Sequence, residues 1–94
     1  MADQVASQAE GQELPSDRVA DLVEVIVCGL VDDPDAVSLD VTDDANGALI
    51  EIGCAEADTG KVIGRRGRTI HAIRTVARAL GQRVGTQVQV EVLD

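Results

Sequence analysis

Gly60-Lys61-Val62-Ile63-Gly64-Arg65-Arg66-Gly67-Arg68-Thr69-Ile70 is the stretch that decides how this chain is read. It carries a Gly-x-x-Gly with two arginines between the glycines and a third directly after. The residues that follow, through Leu80, repeat apolar side chains at helical spacing, so the loop is expected at a helix N-terminus. Unpaired N–H groups and the positive end of the helix dipole point outward there. Two residues without Cβ let an anionic backbone approach the main chain. The arginines surround it with positive charge. The stretch reads as a phosphate clamp.

The distribution of charge sharpens that reading. Of the 8 Lys and Arg residues, seven (Lys61, Arg65, Arg66, Arg68, Arg74, Arg78, Arg83) fall between positions 59 and 83, where no Asp or Glu occurs. The remainder sets Arg18 against all 17 acids, so a +7 segment and a −16 remainder make up the net charge of −9. A net acidic chain is an unpromising polyanion binder, yet one basic stripe suffices for binding while the rest discourages indiscriminate adhesion.

Working outward from the clamp, the helix after Gly67 separates by face. Ile70, Ile73, Ala77 and Leu80, with Val76 alongside, form the apolar side, and Arg68, His71, Thr75 and Arg78 lie opposite. Gly81 is expected to stop it. Val88, Val90 and Val92 then alternate with Gln87, Gln89 and Glu91, the clearest strand in the chain. Before the clamp, Asp58 or Thr59 is expected to cap a short helix. Ala48, Ile50, Ile52 and Cys54 alternate in a strand, as do Val37, Leu39 and Val41 in the one before it. Asp43-Asp44-Ala45-Asn46-Gly47 makes the hairpin turn between them, with Asn46-Gly47 favouring positive φ. Further back, Ser16 is expected to cap a helix carrying Val19, Leu22, Val23, Ile26 and Leu30 on one face, which ends at Asp32-Asp33-Pro34. Residues 1–15 read as a disordered acidic and polar tail, and residues 16–94 as one domain. The order is α-β-β-α-α-β, and the half-buried strands with one-faced helices predict a two-layer α+β fold, a three-stranded sheet covered by helices on one face.

That order, with the Gly-x-x-Gly between the fourth and fifth elements, resembles a type II KH domain. The run from Gly60 to Ile70 followed by Ala72-Ile73-Arg74 is similar to the KhpA-like family of small bacterial single-KH proteins. The resemblance covers about residues 16–94. It implies binding of single-stranded RNA, with the loop clamping the backbone of about four nucleotides. Gly64 and Gly67 would give main-chain approach, Arg65 and Arg66 would contact phosphates, and Lys61 would add charge at the start of the run. Arg68, Thr69 and Arg74 would flank the strand. Ile63 and Ile70 read equally as groove lining or as plain core. The resemblance further implies partnership with a second KH protein, KhpB (Jag), or with a second copy of the chain. It also implies RNA chaperoning or post-transcriptional regulation and, in some bacteria, control of cell shape and cell wall. The chain departs from the family in a longer N-terminal tail and in Asp58-Thr59 before the clamp.

Composition limits the alternatives. With no Phe, Tyr or Trp, the core must be aliphatic and small. A domain of this length buries only about 60–65% of its unfolded surface. The missing aromatics argue against an RRM, whose sheet stacks bases on them. Neither Gly-x-x-x-x-Gly-Lys-Ser/Thr nor Gly-x-Gly-x-x-Gly is present, no serine lies beside a histidine, and Cys54 has no activating base, so an enzyme is not expected. A lone His71 and the lone Cys28 and Cys54 suggest neither a metal nor a disulfide, and no cofactor is expected. Arg78 and Arg83 read as a solvated face. The alternative function is a KH-fold protein-interaction module, a dimerisation unit with little RNA affinity of its own. Met1 to Glu13 lacks the basic start and apolar run of a secretory signal, and nothing approaches the roughly 20 apolar residues of a membrane span, so cytoplasmic localisation without membrane contact is expected.

Overall fold

A computed structural model describes residues 14–93. The first helix, α1, spans Pro15–Leu30. Ser16 does not cap it. Leu14 holds that position, and Pro15 sits at the first helical residue, where its missing N–H is no loss. The Asp17 carboxylate reaches back to accept the Leu14 N–H at 3.0 Å, one half of a capping box. Ser16 is fully buried, and its hydroxyl donates to Asp43 Oδ2 at 2.9 Å, tying the start of α1 to the hairpin. The expected tail therefore gives up Pro15 to the helix, and its residues 1–13 lie outside the described residues.

The α1 stripe is turned slightly from the expected one. Val19, Val23 and Val27 are fully buried, whereas Leu30 is 38% exposed. After a single helical turn at Pro34–Ala36, strand β1 (Ser38–Asp44) pairs antiparallel with β2 (Gly47–Gly53). The turn is Ala45-Asn46, one residue earlier than Asn46-Gly47 suggests. The Asp44 carboxylate captures the Asn46 N–H at 2.7 Å, an Asx arrangement that leaves Asn46 at negative φ and puts the positive value, +132°, on Gly47 alone.

Beyond β2 come a helical turn at Glu56–Asp58, helix α2 (Thr59–Ile63), a turn at Arg65–Gly67, helix α3 (Arg68–Val84) and strand β3 (Val88–Val92). Gly81 does not end α3. A Cβ there would stand 2.7 Å from both Thr86 O and Val88 Cγ2, so this glycine serves the close approach of helix to strand. The helix stops at Gly85, φ +92°, and the N–H groups of Gly85 and Thr86 both return to Gly81 O at 2.8 Å.

The sheet order is β1-β2-β3, with β2 parallel to β3. One face carries Leu39, Val41, Ile50, Ile52, Val88 and Val90 against the helices, where Val62, Ile70, Ile73 and Ala77 complete an aliphatic core with the α1 valines. The other face carries Asp40, Glu51 and Glu91 in register across all three strands, an unfavourable row of like charge. The two-layer α-β-β-α-α-β architecture expected from the pattern is the one observed. Among the described residues no helix is long and apolar enough to cross a membrane.

Candidate nucleic-acid interface

The clamp sequence forms the corner between α2 and α3. Gly64 closes α2, donating its N–H to Gly60 O at 2.8 Å, and Gly67 N–H returns to Gly64 O at 3.0 Å. The amides of Arg65 and Arg66 enter neither bond. Gly64 has φ +80° and ψ 168°, a region open only to glycine. A Cβ at Gly64 would overlap Thr69 Oγ1 and lie 2.6 Å from Thr69 Cβ and 2.8 Å from Thr69 N. Thr69, in the first turn of α3, thus packs directly beneath Gly64.

Arg66 (φ 59°, ψ 25°) and Gly67 (φ 73°, ψ 15°) follow as two successive left-handed residues. Arg68 then returns to right-handed values (φ −66°, ψ −38°), and where a left-handed residue adjoins a right-handed one the neighbouring N–H groups turn toward one concavity. No side chain caps α3, so its dipole faces that concavity. Arg65, Arg66 and Arg68 are exposed around it. Among the described residues no carboxylate ion-pairs with any of the three. A shallow groove lined by Arg66, Gly67, Arg68, Ile70, His71 and Arg74 leads away along α3. Ile70 is 6% exposed and belongs to the core while its edge meets the groove. Ile63 is half-buried and packs against the same core. Arg74 is half-buried, and its Nε donates to Val90 O at 2.9 Å. Arg78 and Arg83 line two other grooves.

Lys61 stands apart from the arginines. Its ammonium lies 3.3 Å from both Asp32 Oδ2 and Asp58 Oδ1. Asp58 occupies the N-cap position of α2 without capping it. Its carboxylate, 2% exposed, accepts the amides of Asp32 at 3.2 Å and Asp33 at 3.1 Å. Nothing local announces this lock except the Asp58/Lys61 spacing of three, because the amides come from the far end of α1. It fastens the α1–β1 loop to the helix that delivers the clamp.

Burial pushes the Asp58 carboxyl up, but the two amides and Lys61 outweigh it, so its pKa lies below the ordinary 3.8. Lys61 is raised above its ordinary 10.5, first by Asp32 and then by Asp58, against desolvation. A carboxyl lowered by folding contributes stability above its unfolded pKa and loses it as pH falls through the folded value. A raised lysine contributes below its unfolded pKa and loses it as pH rises through the folded value. The lock is therefore complete between the two ordinary values. Asp58→Asn should melt below wild type throughout the neutral range, and the two melting curves should converge in acid. Parallel curves down to the lowest pH would show that Asp58 acts by shape rather than by charge.

Among the described residues no group of three or more His, Cys, Asp or Glu gathers to hold a metal ion.

Comparison with known proteins places this corner in a family. The profile for the KhpA/KhpB KH domain matches residues 20–92. An RNA-binding protein KhpA from Borreliella burgdorferi is 42% identical over 74 residues, covering 79% of this chain and 90% of that protein. An RNA-binding protein KhpA from Mycobacterium tuberculosis is 42% identical over 76 residues, 81% of this chain and 91% of that one. Among solved structures, Aquifex aeolicus Era bound to GDP and aluminium fluoride superposes with a TM-score of 0.57 at 24% identity, covering 86% of this chain. Era in complex with MgGDPNP and a segment of 16S ribosomal RNA gives 0.60 at 20% identity, covering 97%. The chain spans only 33% and 36% of those two Era chains, and the likeness is one of fold. With the profile running from the middle of α1 to the end of β3 and identity at this level over most of its length, the chain belongs to the KhpA/KhpB KH-domain family.

Proposed function

We propose that this protein binds single-stranded RNA by holding its sugar–phosphate backbone in the loop Gly64-Arg65-Arg66-Gly67. The observation that carries the reading is the change of hand from left-handed Arg66 and Gly67 to right-handed Arg68, which turns main-chain N–H groups outward at the uncapped start of α3. Exposed Arg65, Arg66 and Arg68 surround it. The relatives named as RNA-binding proteins support the choice of polyanion. Gly64 and Gly67 give the main-chain approach and Arg65, Arg66 and Arg68 the charge. Thr69 and Arg74 flank the strand, and Ile63 and Ile70 present the apolar edge. Lys61 contributes by fixing α2, being already held by two carboxylates.

The reading is of a binding protein without catalysis, acting in the cytoplasm as an RNA chaperone or post-transcriptional regulator. The family's name supports association with a KhpB-type KH protein or a second copy, and a bearing on cell shape and cell wall belongs to the same reading. Pairing two weak clamps raises effective concentration. A chain that sediments strictly as a monomer, alone and mixed with a KhpB-type protein, would remove the pairing while leaving the clamp.

The test is an anisotropy titration of a short labelled single-stranded RNA at two salt concentrations. Wild-type affinity should fall with salt, with a logarithmic slope of about 0.7 per phosphate contact. Arg65→Asp combined with Arg66→Asp should abolish binding while circular dichroism stays that of the folded chain. A folded double variant that binds as wild type does would place the RNA elsewhere.

A further inference from the structure

Helix α1 carries apolar residues on two sides. Val19, Val23 and Val27 fill the core. On the outer side Leu22 is half-buried and Val25 is 71% exposed, more than any other large apolar residue described. With Arg18, Gly29 and Asp32, the last just past the end of the helix, they follow at intervals of four, three, four and three. That is the spacing of a seam that meets a second helix. The clamp uses none of these residues.

Two positions on the seam lack a reason within one chain. Gly29 is exposed, needs no positive φ, and a Cβ there would meet nothing within 4 Å. A glycine so placed only weakens the helix, unless another backbone comes close against it. Arg18 is the one basic residue outside positions 59–83, and it lines a hollow together with Arg83, a like charge. Among the described residues neither arginine is ion-paired. At the other end of the seam the Asp32 side chain is 83% exposed and meets Lys61 through Oδ2.

A second copy laid antiparallel on the first answers both. A two-fold axis through Val25 sets positions equally far from it, on either side, opposite one another. Val25 then meets the partner's Val25, Leu22 the partner's Cys28, Asp21 the partner's Gly29, and Arg18 the partner's Asp32. Apolar side chains meet at the centre, the glycine makes room, and opposite charges meet at both ends. A parallel pair would set arginine on arginine and aspartate on aspartate, which repel.

We propose that the outer face of α1 is the surface on which a second copy of this chain docks, antiparallel and two-fold symmetric about Val25. The inference rests on the pairing in the functional reading above and supplies its surface. The clamp residues lie on α2, α3 and the corner between them, so the seam covers neither clamp. One helix pair is a small contact, so the dimer should dissociate on dilution.

The experiment is sedimentation equilibrium of the full chain across a concentration series, in which wild type should show reversible monomer–dimer exchange. Val25→Glu sets two carboxylates face to face on the axis. It should raise the dimer dissociation constant at least about tenfold while the circular dichroism melt stays that of wild type, since the side chain lies mostly in solvent. Arg18→Asp and Asp32→Arg should each weaken self-association. An equal mixture of the two should recover it, because the mixed pair again sets opposite charges at both ends. Asp32→Arg also gives up Lys61, and the Val25→Glu result stands even where that variant folds poorly. A wild-type dimer that Val25→Glu leaves intact, or a mixture of folded variants no stronger than its components, would overturn this surface and leave the pairing standing. A chain monomeric alone that pairs with a KhpB-type protein would overturn the second copy as the occupant. A chain monomeric in both settings would overturn the pairing reading as well.

Discussion

Gly64→Ala should lower the melting temperature of the domain by about 12 °C or more, while Gly67→Ala lowers it by less. Two costs coincide at Gly64. Its backbone, φ +80° and ψ 168°, is closed to residues with a Cβ, a penalty of about 1–3 kcal/mol. The added carbon would also overlap Thr69 Oγ1 and press on the Thr69 main chain, which cannot swing aside as a long side chain does. Forced overpacking of this kind costs about 1–3 kcal/mol more. A loss of about 3 kcal/mol or more, at roughly 4–8 °C per kcal/mol for a domain of this size, gives the stated drop. At Gly67 the nearest atom to a new Cβ is Ile70 Cγ2 at 4.0 Å, so only the left-handed backbone is penalised, by about 1–2 kcal/mol. Thermal melts of the two variants by circular dichroism make the comparison. Equal melting temperatures would mean that the first turn of α3 yields to admit the methyl group.

Ile50→Ala should cost about 2–5 kcal/mol. Ile50 is fully buried on the central strand, with Val41 and Val90 in register on its two sides. No aromatic ring stands in this core, so no large side chain can tilt into the vacancy. Against a total stability of about 5–15 kcal/mol, the loss is a large share. Urea denaturation should show a lower midpoint at unchanged slope. Leu49→Ala, half-buried on the opposite face, is the control and should move the midpoint little. A reversal of that order would place the core on the wrong side of the sheet.

Elements whose burial is one-sided were legible in the sequence. Val88, Val90 and Val92 alternate with polar residues because one sheet face meets helices and the other water. Ile70, Ile73 and Ala77 repeat because a single stripe of α3 does the same. The misread positions are those where one residue type has two uses. Gly81 looked like a helix terminator and instead admits Val88. Ser16 looked like a cap and instead reaches a strand of the hairpin. Asp43 to Gly47 does hold the hairpin turn, but the positive φ expected over Asn46-Gly47 falls on Gly47 alone, with the Asp44 carboxylate holding the Asn46 N–H. The corner between α2 and α3 was readable because its residues are contiguous. The Asp58 lock and the Arg74 bridge were not, since their partners, the Asp32 and Asp33 amides and the Val90 carbonyl, arrive by tertiary folding.

The parallel pairing of β2 with β3 carries one more consequence. A hairpin closes β1 onto β2 between near neighbours in the chain, but Ala48 meets Val88 only after α2, the corner and α3 have been laid across the gap. The entropy of closing that long loop must be met before the last strand can dock. The clamp is borne on that connection, so local pairing elsewhere assembles no part of it. A ligand held there bears on the folding equilibrium of the entire domain by mass action, and not on the order of one loop.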